Sequence, residues 1–295
     1  MTEPNDPLQF TGERFTPECV REIWYEHWHR YVFAMSLCKD KRVLDAACGE
    51  GYGSSLVAGV AAEVVGVDIA EAAIAHARQR YGGPGHLRFE VADAAALEFP
   101  DRSFDVVLSF ETLEHLSAQQ ELVAGFARVL AEDGILLISS PDKRTYSDIA
   151  GFRNEFHVRE LYREELLELL GGHFPHVRLY GQKLLFQSSL WSMDGTGAGC
   201  AVATAAADGS IVEGRPDHAP LYYVAACSRQ PLPAALPAIA WFGDKEESVY
   251  SHYNGEVRKN MRAGVRIAEL EAEIERLRQS APARAPSRWL RWLRR

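Results

Sequence analysis

Val43-Leu44-Asp45-Ala46-Ala47-Cys48-Gly49-Glu50-Gly51-Tyr52-Gly53 is the stretch whose reading decides the fold. An apolar run ends in an acid, small residues follow, and glycines stand at 49, 51 and 53. A helical pattern comes next. This is a strand entering a tight glycine turn that opens a helix. Glycines at such a turn let backbone approach a ligand where a Cβ would clash.

The spacing discriminates between ligands. A dinucleotide site has G-x-G-x-x-G with a pyrophosphate on the helix N-terminus. Here the pattern is G-x-G-x-G, with Ser54 where the last glycine of that fingerprint belongs. Asp45 just upstream would repel a pyrophosphate and suits a cationic ligand. S-adenosylmethionine (SAM) carries an ammonium and a sulfonium and no phosphate. At Asp45, Gly49, Gly51 and Gly53 the chain resembles the class I SAM-dependent methyltransferases, whose first motif is D/E-x-x-x-G-x-G-x-G.

The next segments extend the resemblance. Residues 62–68 form an apolar strand ending in Asp68, 17 residues past Gly51, where one carboxylate can take both ribose hydroxyls. Ile69 follows it. Leu87–Asp93 is another strand ending in an acid; the resemblance puts Asp93 and Ala94 at the adenine amino group. Residues 104–110 form a fourth strand, and the resemblance sets Phe110 beside the cofactor. Single strand-end acids are ordinary in any α/β sheet, but three in order behind this loop are not.

The expected fold is α/β: a Rossmann-like seven-stranded class I methyltransferase sheet with an N-terminal helical cover and a C-terminal coiled-coil and amphipathic tail. Strands are expected near 42–48, 62–68, 87–93, 104–110 and 134–140, with helices near 53–61, 70–81, 118–131 and 159–170. Two last strands, 176–183 and 221–228, are expected as the antiparallel edge seen in the resembled family. The organisation reads as a helical cover over 1–40, a SAM-binding domain over 41–228, a proline-rich linker over 229–250, a short coiled-coil helix over 251–279 and a basic tail over 280–295. Residues 184–220 read as a lid or acceptor-side insertion.

Composition narrows the function. The net charge is −9, yet seven arginines and no acids follow from Arg276 onward, leaving about −16 on the rest. Such a body is poorly suited to a nucleic-acid backbone, and no nucleic-acid partner is expected. Five scattered cysteines without a C-x-x-C pair suggest reduced thiols and no zinc site. There is no apolar run of transmembrane length, and the N-terminus lacks a secretory pattern, so the expected location is the cytoplasm. Ile267, Leu270, Ile274 and Leu277 have a/d spacing, read either as a homo-oligomeric coiled coil or as a helix packed on its own domain. Trp289, Leu290, Trp292 and Leu293 share a face opposite arginines. They suit the inner face of an anionic membrane or a docking site on a glycan-synthesis partner protein.

A second resemblance lies in Thr11–Pro17, Tyr25–Tyr31, Cys48–Ser54, Ser109–His115, Ser139–Lys143 and Phe156–Leu161. Together they look like bacterial methyltransferases of surface-polysaccharide synthesis. They are similar to the methyltransferase part of O-antigen chain-terminating methyltransferase/kinases, over roughly residues 10–230, with no kinase module following. The resemblance implies a glycan or lipid-linked glycan acceptor, methylated on a sugar hydroxyl or a terminal phosphate. A small-molecule acceptor, such as a quinone precursor or secondary metabolite, and a non-catalytic scaffold are the alternatives.

A hydroxyl acceptor benefits from a base. Candidate catalytic residues are Glu111 and His115, four apart at the start of an expected helix, and His157. A helix N-terminus would favour neutral His115. Lys143, Arg144 and Arg159 suit an acidic sugar or phosphate, or are solvated loop charge. His27 and His29, at i and i+2, point apart on a helix, and no other group has ligand spacing, so no metal is expected.

Overall fold

The computed structural model describes residues 22–280 apart from 84, 196–198 and 215. The motif at 11–17 and the tail from 281 lie outside the described residues. In chain order the elements are α1 (Glu22–Cys38), β1 (Arg42–Ala46), α2 (Tyr52–Ala58), β2 (Glu63–Asp68), α3 (Glu71–Tyr81), β3 (Leu87–Val91), β4 (Phe104–Ser109), α4 (Gln119–Val129), β5 (Leu130–Pro141), α5 (Arg163–Gly171), β6 (His176–Gln182), β7 (Ala203–Ala205), β8 (Ile211–Glu213), β9 (Tyr222–Ser228) and α6 (Ser248–Ser280).

Seven strands form one sheet in the order β3-β2-β1-β4-β5-β9-β6. The first five are parallel, and β9 inserts antiparallel between β5 and β6. Val43, Leu44, Val64, Val65, Val107 and Leu108 are fully buried, as strands covered on both faces require. On one face α1, α2 and α3 supply Tyr31, Ala34, Val57 and Ile74. On the other α4 and α5 supply Leu122, Phe126, Leu166 and Leu170. The chain crosses from one side of the sheet to the other between β1 and β4, so their C-terminal ends open the crevice where ligands bind in such folds.

Some boundaries differ from expectation. β1 stops at Ala46 because Ala47 turns left-handed at φ 60°. β5 begins at Leu130, directly after α4: Leu130 pairs with Phe104, the register then shifts, and Ile135 pairs with Val106. The helix expected from 159 begins only at Arg163. Leu161 is held extended by a parallel bridge to Asp142, and the Tyr162 N–H donates to the Glu165 carboxylate at 2.9 Å, fixing the helix start.

The expected linker at 229–250 is divided. The described residues form two compact units, divided between Phe242 and Gly243. Residues 229–242 belong to the first, because Leu236 is buried and its carbonyl, with that of Pro237, accepts from Arg178 and Tyr180. In the second unit α6 runs for 33 residues with Ile267, Leu270, Ile274 and Leu277 exposed. Within 184–220, β7 and β8 pair as a small antiparallel hairpin. Among the described residues no helix is long and apolar enough to cross a membrane.

One contact fixes how α1 covers the sheet. A Cβ on Gly53 would overlap the ring of Tyr31. Gly53→Ala should therefore destabilise the fold by about 1–3 kcal/mol despite alanine's better helix propensity. Urea unfolding of Gly53→Ala in the wild-type and Tyr31→Ala backgrounds checks this: the cost should vanish when the ring is gone.

Candidate active site

The glycine loop is held from below. Ala47, Gly49 and Gly51 take φ values of 60°, 58° and 92°. The Cys48 N–H donates to Val67 O at 2.8 Å, and the Gly49 N–H donates to Asp68 Oδ2 at 2.9 Å. The other oxygen of Asp68 accepts from the Ala70 N–H at 2.8 Å. Two backbone amides thus fix the Asp68 carboxylate. Glu50, buried to 1% exposure, accepts from the Tyr81 hydroxyl at 2.9 Å and pairs with His76 at 3.0 Å, tying the loop to α3.

Asp45 does not face the crevice as the sequence suggests. It is completely buried, and its carboxylate accepts from the Ser54 hydroxyl at 2.6 Å and the Tyr31 hydroxyl at 3.1 Å. Burial pushes its pKa up to about 7, against the pull of these two hydrogen bonds. Its part is to join α1, β1 and α2 beneath the loop. Phe110 is buried and meets the Tyr31 ring edge-to-face at 5.0 Å. Asp93 accepts from the Ala95 N–H at 2.8 Å, and Ala94 is buried. Ile69, beside Asp68, is 71% exposed.

Beyond β4 the expected helix is absent. Glu111 is left-handed at φ 53°, and only a three-residue 3-10 turn, Leu113–His115, follows. His115 therefore has no α-helix N-terminus beneath it. Glu111 is anchored instead by Ser139, whose hydroxyl accepts from the Glu111 N–H at 3.0 Å and donates to its carboxylate at 2.7 Å. Arg30, 2% exposed, lies 3.3 Å from the same carboxylate, donates to Gln182 at 2.8 Å and covers the Tyr222 ring at 4.6 Å. Near it Glu26 is pushed up to about 7 by burial.

His115 and His157, 42 positions apart in sequence, meet edge-to-face at 5.0 Å. The cause is a backbone clamp: the N–H groups of Val158 and Arg159 donate to Glu114 O at 2.8 and 3.0 Å. His115 Nδ1 lies 3.1 Å from Phe156 O and therefore carries the proton. His157 Nδ1 lies 2.6 Å from the Glu160 carboxylate, and its Nε2 accepts from the Asn154 amide at 3.0 Å. That last bond occupies the lone pair His157 would need as a base. The Glu114 side chain, 1% exposed, joins the same cluster. Burial, and then the charge of Glu111, hold its pKa well above the usual carboxylate range.

Lys143 sits over the Tyr162 ring at 4.7 Å and Arg159 reaches Glu165 at 3.5 Å, both ordinary surface pairings. His29 stacks on Phe242, and burial lowers the pKa of both His27 and His29. Sequence reasoning missed Tyr31, Glu50, Glu114 and Glu160; for Glu114 the acid-histidine pair 114–115 is a visible signal, whereas nothing local marks the others.

Residues 44–138 match the family model described as a methyltransferase domain. Over that stretch the chain is similar to methyltransferase domains. Relatives carrying the name probable S-adenosylmethionine-dependent methyltransferase occur in Mycobacterium tuberculosis, 42% identical over 168 residues, and Mycolicibacterium smegmatis, 40% identical over 166. The matches cover 55% of this chain and 60% and 63% of those relatives, so the chain spans under two thirds of their length. Phosphoethanolamine N-methyltransferase 1 of Arabidopsis thaliana is 31% identical over 52% of this chain and 30% of its own. The YcgJ protein of Bacillus subtilis shares the fold, with a TM-score of 0.50 at 20% identity, covering 69% of this chain and all of that one.

The methyltransferase fold implies SAM, and the residues fit it. Asp68 ends β2 and Asp93 stands two residues beyond β3, a pair of acids that suits a cation and a ribose diol and repels phosphate. Exposed Ile69 offers apolar surface beside the ribose acid for a flat base.

Two outcomes follow. Asp68→Ala removes charge-assisted hydrogen bonds worth roughly 2–4 kcal/mol, so SAM affinity measured by calorimetry should fall well over tenfold. Asp45 has a raised folded-state pKa, so its contribution to stability is fully present below the ordinary carboxylate range and is lost as pH rises through about 7. Asp45→Asn does not titrate. From about pH 4 to 8, urea unfolding should show the variant gaining on the wild type; a constant difference would mean that Asp45 does not titrate there.

Proposed function

We propose that this chain transfers the methyl group of SAM to a hydroxyl of a saccharide, free or lipid-linked. The observation that carries the reading is placement. The glycine loop with Asp68 and the Glu111–Glu114–His115–His157 cluster stand at the ends of strands flanking one crossover, so cofactor and acceptor sides share a crevice.

SAM supplies a methyl group already activated on a sulfonium. The chain's task is alignment, exclusion of water and care of the acceptor's proton. Asp68, Asp93 and the loop amides would hold the cofactor, with Asp45 and Tyr31 fixing the loop beneath it. On the acceptor side His115 keeps its proton on Nδ1 through Phe156 O, which makes Nε2 the basic nitrogen of the ring.

The saccharide reading is supported by the surface-polysaccharide resemblance of the motifs quoted above. It is also supported by a groove of ≈ 650 Å³ beside Arg30. Tyr25, Phe33, Tyr180 and Trp241 line it with Gln182 and His218, flat apolar faces interleaved with hydrogen-bonding groups. The likeness to the plant phosphoethanolamine enzyme favours a second reading, a small soluble acceptor.

Labelled SAM offered with a panel of saccharides and with phosphoethanolamine separates the two. Label should enter a saccharide as an ether. His115→Ala should lower kcat by about 10²–10⁴ without changing SAM affinity. Label appearing only in phosphoethanolamine would sink the saccharide reading.

A further inference from the structure

The cluster beyond β4 has features that neither a hydrogen-bond network nor a single base explains. A carboxylate oxygen of Glu114 and one ring nitrogen each of His115 and His157 lie within 4.8 Å of one another. Both oxygens of Glu114 are buried and have no hydrogen-bond partner. Buried carboxylates are almost always satisfied, so this one is aimed at something that supplies positive charge.

The histidines are prepared for the same ligand. Each gives its Nδ1 proton to an outer acceptor, Phe156 O for His115 and the Glu160 carboxylate for His157. Glu160 is itself fixed by the Ser147 hydroxyl at 2.6 Å. Outer-nitrogen bonds to a carbonyl and a carboxylate are the usual support of metal-bound imidazoles, because they set the tautomer and raise basicity at the inner nitrogen. The inner Nε2 of His157 is an acceptor: Asn154 donates to it, and the Asn154 amide is oriented by its Oδ1 accepting from the Phe156 N–H at 3.1 Å. A small shift of Asn154 releases that lone pair. His115 Nε2 is 3.9 Å from Glu114 Oε1, a gap that two ligands of one ion span.

We propose that Glu114, His115 and His157 bind a divalent first-row cation through one carboxylate oxygen and two imidazole nitrogens. Two imidazoles and a carboxylate suit Zn2+, Mn2+, Fe2+ or Co2+ better than Ca2+, and three protein ligands leave coordination positions open. The His115 side chain is 20% exposed while Glu114 and His157 are nearly buried, so the open positions face the crevice. The sequence-based expectation of no metal rested on spacing, and spacing does not register the fold-back of 154–160 onto Glu114. Resting on the saccharide reading, the open positions take an acceptor hydroxyl; with the cation bound, His115 Nε2 serves as a ligand rather than as the base, and the cation lowers the pKa of the hydroxyl so that its proton passes to water.

The test uses full-length protein treated with chelator and desalted, titrated with Co2+ alone and followed by its visible d–d bands, then displaced with Zn2+. One equivalent should bind. Glu114→Gln, isosteric and uncharged, and His157→Ala should each weaken Co2+ binding at least tenfold, with SAM binding by calorimetry unchanged to show an intact fold. No uptake of Co2+ or Zn2+ at micromolar concentration, or Glu114→Gln binding as tightly as wild type, overturns the site. The readout needs no acceptor. Co2+ bound at these residues with no saccharide methylated upholds the metal site and ends the saccharide reading alone.

Discussion

The Asp45 carboxylate, buried at the end of β1, accepts hydrogen bonds from Ser54 on α2 and Tyr31 on α1. Those two bonds set the cofactor loop. With Ser54 tied down, the chain must leave β1 through residues 47–51 in a run of left-handed turns, and with Tyr31 tied down its ring must lie against Gly53 and Phe110. A buried carboxylate is costly on its own, but two hydroxyl donors satisfy it and make the arrangement specific. Asp68 does the same work one strand over, gripping the Gly49 and Ala70 amides.

From this frame the arrangement beyond β4 follows. β4 lies next to β1, so what leaves its end stands beside the loop. Glu111 leaves in a conformation that few non-glycine residues adopt, stabilised by Ser139 and Arg30. That sharp exit aims the 3-10 turn inward and lets Glu114 be buried. Arg30 links the two sides, since it stands one residue before Tyr31 on α1 and ends at Glu111.

The parallel sheet was legible because apolar runs alternate with helical patterns and the first three runs lead to Asp45, Asp68 and Asp93, and the glycine spacing separated a SAM loop from a dinucleotide loop. The edge strands were legible in position, and their pairing through the resemblance. What escaped was set by contacts distant in sequence. The start of α5 depends on Leu161 pairing with Asp142, and residues 229–242 join the first unit because Leu236 finds a buried place. The site split in the same way. Asp68 could be placed from strand order alone. The meeting of His115 with His157 depends on two amides of the 154–160 loop reaching Glu114 O, which no local pattern encodes. The burial of Asp45 was not legible, because one of the two hydroxyls that cover it comes from Tyr31 on a helix upstream of the motif.

The groove beside Arg30 takes its walls from α1, β6, the 184–220 segment and residues 238–242, with little from the five parallel strands. On the proposed reading, what chooses a guest is thus separable from what holds the frame. Changes at Tyr25, Gln187 or Trp241 leave the Asp45 and Asp68 anchors untouched, so they alter selectivity at small cost in foldedness. A lineage built on this plan has room to drift among acceptors while its cofactor chemistry stays still.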